Sequence, residues 1–156
     1  MIVLRLLTAV LVSSTLMTAC APEDISCTSE LRSYDITVSR EISTAFASVS
    51  TLSFEACVDS GDSQQCERSV VESGRFRLSN PRSDQNSALL SGTVSATAGG
   101  GTLVTATIRV AEGVPDGSTP VSLRASDASG SILLDVAGQV NWDDDRCHPK
   151  ALNNSL

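Results

Sequence analysis

The chain has 156 residues, 41% of them apolar, and its 18 acidic side chains outnumber 11 basic ones for a net charge of −7. That balance argues against nucleic acid as a partner, because Lys and Arg are needed to displace counterions from phosphates, and against a protein that lies flat on anionic lipid. The length suits one domain with a core of its own, and the charge favours solubility and basic partners.

Residues 1–19 hold one charged side chain, Arg5, followed by an apolar run from Leu6 to Leu16 broken at Thr8 and at Ser13, Ser14 and Thr15. A basic start, a short apolar core and a small-residue exit are the parts of a secretory signal peptide. The run is too short to span about 30 Å of hydrocarbon. Its exit reads Leu16, Met17, Thr18, Ala19 and Cys20: a small residue before cysteine, a β-branched one before that, and methionine where leucine is usual. This stretch resembles the lipobox of bacterial lipoprotein precursors, a resemblance confined to residues 1–20. It implies cleavage before Cys20, a diacylglyceryl group on that cysteine and a permanent anchor, since one acyl chain alone holds a protein only marginally. Ala21, rather than aspartate, follows the cysteine, which in such precursors implies the outer membrane. The rival exit for ordinary secretion, Ala19, Cys20 and Ala21, would place Pro22 directly after the cut.

The cysteines agree with an anchor at Cys20. Five are present, an awkward number in an oxidising compartment. Assigning Cys20 to lipid leaves Cys27, Cys57, Cys66 and Cys147, for which three pairings exist; Cys57–Cys66 and Cys27–Cys147 are favoured. The first closes a short polar loop, worth about 3 kcal/mol by chain entropy, and the second ties the ends of the domain together, worth about 5 kcal/mol. No Cys-x-x-Cys spacing occurs, so zinc is not expected. Cys27 follows Cys20 by seven positions, a reach of roughly 25 Å, which would hold the domain close to the bilayer.

The chain divides into a signal peptide (1–19), a lipidated cysteine and short tether (20–33), a β domain (34–142) and a polar C-terminal tail (143–156). Ile36 and Val38 suggest a first strand. Residues 44–57 suggest a second, with a bulge or bend where the apolar positions shift between Phe46, Val49 and Leu52. Residues 70–78 suggest one more, interrupted near Gly74 and ended by Asn80 and Pro81. Leu90, Gly92, Val94 and Ala96 alternate, the three glycines from Gly99 to Gly101 turn, and Val104, Ala106, Ile108 and Val110 alternate back. A strand rather than a helix follows those glycines, so they are read as a turn and not as a phosphate cradle. Val121, Leu123 and Ala125 lead through Asp127 to Gly130 into Ile132, Leu134, Val136, Gly138, Val140 and Trp142, all of one parity. Period two over that length marks a half-buried strand, and the pair a hairpin. The expected fold is all-β, an antiparallel sandwich of about seven strands, immunoglobulin-like or transthyretin-like, with a small barrel as the alternative.

Chemistry is harder to find. His148 is the one histidine; it neighbours Cys147 in a polar tail, no Gly-x-Ser-x-Gly elbow accompanies it, and it is read as an exposed tail residue. Asp143, Asp144 and Asp145 point in different directions, and Asp59, Ser60, Gly61 and Asp62 form an incomplete loop. Neither has the spacing of a calcium site, so a solvated acidic turn is expected. Glu67 and Glu72 lack the aromatic neighbours that would stack on sugar. The sequence therefore points to a non-enzymatic lipoprotein of the bacterial cell envelope, without cofactor or metal, attached to the bilayer through acylated Cys20. It would act as a binding or structural module or, alternatively, as an acidic inhibitor of a basic envelope hydrolase such as a lysozyme. A hydrolase using His148 is the weakest reading.

Overall fold

Eight antiparallel strands form one continuous sheet in the computed structural model, which describes residues 32–61, 63–78, 88–113 and 116–156. They are β1 (Ser33–Ile42), β2 (Ser53–Asp59), β3 (Gln64–Glu72), β4 (Arg75–Leu78), β5 (Leu90–Ala96), β6 (Thr102–Ala111), β7 (Ser118–Ser126) and β8 (Ile132–Asn141). A short 3-10 helix, Phe46–Thr51, connects β1 to β2. The leader, Cys20, Cys27, Asp62 and the Asn80–Pro81 stop lie outside the described residues.

The protein is all-β, and of the two architectures expected it takes the barrel. The strand order β1-β6-β5-β4-β3-β2-β7-β8 is one sheet rather than two stacked ones, and it curls until its ends nearly meet. The last residues close the seam. Leu152 N donates to Asn141 O at the end of β8, while Thr37 N donates to Asn154 O and Leu156 N to Thr37 O on β1. The polar tail thus lies between the first and last strands as a partial ninth strand. Sheet closure removes the open edges that a sandwich would have to protect by other means.

Alternation decides what fills the barrel. Ile36 and Val38 on β1, Phe54, Ala56 and Val58 on β2, Val104, Ala106, Ile108 and Val110 on β6 and Val121, Leu123 and Ala125 on β7 are all buried. Both expected hairpins form, with Val94 opposite Val104 and Leu123 opposite Val136. Gly100 and Gly130 adopt positive φ in their turns. Small residues make room for large ones: a Cβ on Gly92 would stand 3.0 Å from Phe76 Cε2, and the Phe76 ring stacks on Phe54 with centroids 4.2 Å apart.

Two stretches depart from expectation. Residues 44–57 are not one bulged strand: Phe46, Val49 and Leu52 recur every third position, which is the 3-10 period. The helix Phe46–Thr51 precedes β2, and Val49 within it and Leu52 directly after it are buried at one end of the barrel. Residues 70–78 are not one interrupted strand either. Ser73 and Gly74 both have positive φ, the requirement of a two-residue type I′ turn, so β3 and β4 are separate strands and the described residues form eight.

Candidate functional site at one barrel mouth

The two ends of the barrel differ. The 3-10 helix lies at one; the other gathers the start of β1, β3, β5 and β7 with the end of β2, β6 and β8. Trp142, just past the end of β8, packs into that second mouth. It is buried, its Nε1 donates to Thr119 Oγ1 at 2.8 Å, and Tyr34 meets it edge-on at 5.4 Å. Gly113 passes so close over the indole that a Cβ there would collide with its nitrogen-bearing ring.

Beside Trp142, at the same mouth, lies a cleft of about 440 Å³, with Val58, Leu89 and Pro120 as apolar wall and Gln65, Glu112 and Thr119 as polar wall. That size and mixture lie within the ordinary range of small-ligand sites. Asp59 and Arg109 also face it. Arg109 is engaged by Asp35, whose carboxylate takes its Nε at 3.1 Å; the hydrogen bond and then the charge raise the guanidinium pKa above its usual value. Asp59 Oδ1 accepts from Gly61 N at 2.9 Å, which sets the turn into β3.

Strand β3 supplies a polar inner wall that sequence reading missed. Gln65, Glu67, Ser69 and Val71 share a parity, and Ser69 and Val71 are buried. Glu67 Oε2 accepts from Leu89 N at 2.8 Å, whereas Glu67 Oε1 and Ser69 Oγ are buried without a hydrogen-bond partner. Glu67, considered above as a hydrolytic carboxylate, is thus tied to backbone behind the cleft. Glu72 is exposed at the far end of the same strand.

His148 is not the exposed tail residue expected. Its Nδ1 lies 3.4 Å from Glu112 Oε1, and the two side chains are only 14% and 10% exposed. The tail is drawn in by its own carboxylates: Asp143 Oδ1 accepts from Lys150 N at 2.8 Å, and Asp145 Oδ1 accepts from Cys147 N and His148 N. Those backbone donors, His148 N first, hold the Asp145 pKa below its usual value. Asp143 and Asp145 therefore cap a turn, each through its Oδ1.

Cys57 and Cys66 stand directly opposite one another on β2 and β3 and are joined by a disulfide, their Cα atoms 4.1 Å apart. Cys147 is also disulfide-bonded; the expected pairing with Cys27 lies outside the described residues, as does the expected lipid site, Cys20. Glu55 lies within 4.8 Å of both sulfurs of the first bond, but sulfurs shared in a disulfide offer no thiolate to a metal. On the outer face Glu55 pairs with Arg68 at 2.8 Å and Arg124 with Asp135 at 3.1 Å, a charge row running across β3, β2, β7 and β8. Comparison with known protein families, characterised proteins and solved structures finds no match for this chain.

Proposed function

We propose that the chain is a lipid-anchored, non-enzymatic binding module of the bacterial cell envelope, held by acylated Cys20 and most consistent with the outer membrane. The observation that carries this reading is the state of the cysteines. Cys57, Cys66 and Cys147 are all in disulfides, the chemistry of exported proteins rather than of the cytosol, and Cys20 ends an apolar leader. The cleft beside Trp142 supplies the binding surface, and Glu112 packs against His148 rather than leaving a bare imidazole at that mouth. The test is Cys20→Ser. Wild-type protein is expected in the detergent phase after partition and the variant in the aqueous phase or as unprocessed precursor; identical partition of both would overturn the anchor.

A second reading, inhibition of a basic envelope hydrolase such as a lysozyme, draws on the acidic surplus and on Asp59 and Glu112 at the mouth. Affinity capture from envelope extracts separates it from the first. A stoichiometric basic hydrolase, inhibited on binding, supports inhibition, and its absence removes that reading.

A further inference from the structure

We infer that the cleft beside Trp142 is a site for a primary ammonium group carried on an aliphatic stem. The inference deepens the binding-module reading by naming a ligand class, and it rests on that reading only for its biological setting. The cleft has an apolar wall, Val58, Leu89 and Pro120, able to cover methylene groups. Its charged wall is unbalanced. Arg109 is matched by Asp35 on β1 and Glu112 is met on one side by His148, so among the described residues two carboxylates, Asp59 and Glu112, line the cleft beside one already paired cation.

Glu112 is the central acidic group of the cleft. Its side chain is 10% exposed, lines the cleft, and its Oε1 is buried without accepting a hydrogen bond. The other oxygen, Oε2, receives a long contact of 3.4 Å from Arg32 N. A nearly buried carboxylate with spare acceptor capacity is costly unless a donor or counter-charge meets it. His148 Nδ1 at 3.4 Å approaches it on one side, and a ligand ammonium entering from the cleft would meet it on another. Behind the wall, Glu67 adds a third carboxylate, one oxygen on Leu89 N and the other without a partner. The field of these three groups favours a cation and penalises an anion in the same place. A compact ammonium with three donors suits scattered acceptors, whereas guanidinium is matched to a planar fork.

The source of such a group is a lysine side chain of a polypeptide or a free alkyl amine, and both are tested. The full chain in detergent is titrated calorimetrically with Nα-acetyl-lysine amide, with its uncharged Nε-acetylated form, with Nα-acetyl-glutamate amide and with 1,5-diaminopentane. Binding of the lysine amide or the diamine at least ten-fold tighter than of the uncharged and anionic compounds supports the site, and the tighter of the two names the source. Glu112→Gln is expected to weaken that binding roughly ten-fold, the scale of one charge-assisted hydrogen bond. Because that change also touches His148, Asp59→Asn serves as a second variant; it keeps an acceptor for Gly61 N and is expected to weaken binding in the same direction. Asp135→Asn, which removes an equal charge from the outer face, is expected to leave affinity unchanged. Equal binding of cation, neutral analogue and anion would overturn the ligand class while leaving a binding cleft. No binding of any of the four would overturn the ligand class and remove this cleft from the module's working surface. Equal losses in Asp59→Asn and Asp135→Asn would reduce the effect to net charge and overturn the site.

Discussion

Leu156 lies against Gly138 so closely that a Cβ on the glycine would stand 2.7 Å from Leu156 Cδ2. The contact explains why β8 carries glycine in the middle of its inward-facing row: the last side chain of the tail fills the space that a residue there would occupy. With the bonds to Thr37 on β1, it makes the tail the closing piece of the barrel. Arg40 completes the seam. It has the inward parity of Ile36, Val38 and Ile42, yet it is exposed and its Nη2 donates to Leu156 O at 2.9 Å.

Removing residues 151–156 is therefore expected to cost at least about 3 kcal/mol, from one partly buried leucine, the two backbone bonds to Thr37 and the bond from Leu152 N to Asn141 O. It also bares the edges of β1 and β8, and bared edges pair with other chains. Urea denaturation followed by Trp142 fluorescence measures the loss, and sedimentation measures the association. A truncated chain that unfolds like the full one and stays monomeric would show that the tail is not part of the barrel.

How legible this fold was depended on where the inward face is apolar. β5, β6, β7 and β8 each carry a row of apolar or small residues at every second position, broken at few places, and their hairpins were readable with their turns. β3 was not: its inward residues Gln65, Glu67 and Ser69 are polar, so no hydrophobic period marked it, and its partner β4 is only four residues long. The 3-10 helix was missed because a spacing of three reads as a shifted strand. Closure was beyond reach for a different reason, since the bond between the tail and Thr37 is set by backbone groups that every residue carries. The same holds for the site: Glu112 lies between Ala111 and Gly113 in no motif, and His148 comes to it from a distant part of the chain.

Gly113 and Trp142 provide a second prediction. No Cβ fits above the indole, so Gly113→Ala must displace Trp142 from its bond with Thr119. The overpacking and the lost buried hydrogen bond together are expected to cost about 3 kcal/mol and to shift the emission of this single tryptophan to the red. Thr119→Val, which keeps the shape but removes the acceptor, is expected to cost about 1–2 kcal/mol through the unsatisfied indole N–H. Emission unchanged in both variants would count against Trp142 packing into the mouth.

The cross-strand disulfide gives a third. Cys57 and Cys66 close a short loop, with Asp59 paired to Gln64 in the same register. Replacing both by serine is expected to lower stability by about 2–3 kcal/mol, mostly by freeing the unfolded chain. The register should survive, because Phe54 and Ala56 still face the core. Denaturation of the oxidised wild type against the double variant measures the loss, and amide exchange over β2 and β3 tests the register. Loss of protection across both strands would mean that the disulfide, rather than packing, fixes their pairing.

The β7–β8 turn predicts a pH dependence whose sign follows from its bonds. Asp127 Oδ1 accepts from Ser129 N at 2.8 Å, Ser131 N at 2.9 Å and Ser129 Oγ at 2.6 Å. These bonds, the serine hydroxyl first, hold its pKa below the usual carboxylate value. A carboxylate depressed in the folded state binds fewer protons there than in the unfolded chain. Its contribution is therefore complete above the unfolded value, about 4, and is lost as pH falls through the lower folded value. Asp145 is depressed by the backbone N–H groups of His148 and Cys147, and its contribution runs in the same direction. Stability is thus expected to decline on acidification below about pH 4, with Asp127→Asn flattening part of that decline because asparagine keeps the acceptor but not the titration. Thermal melts of wild type and variant between neutral pH and strong acid measure it; parallel curves throughout would mean that the turn does not distinguish the charged from the neutral side chain.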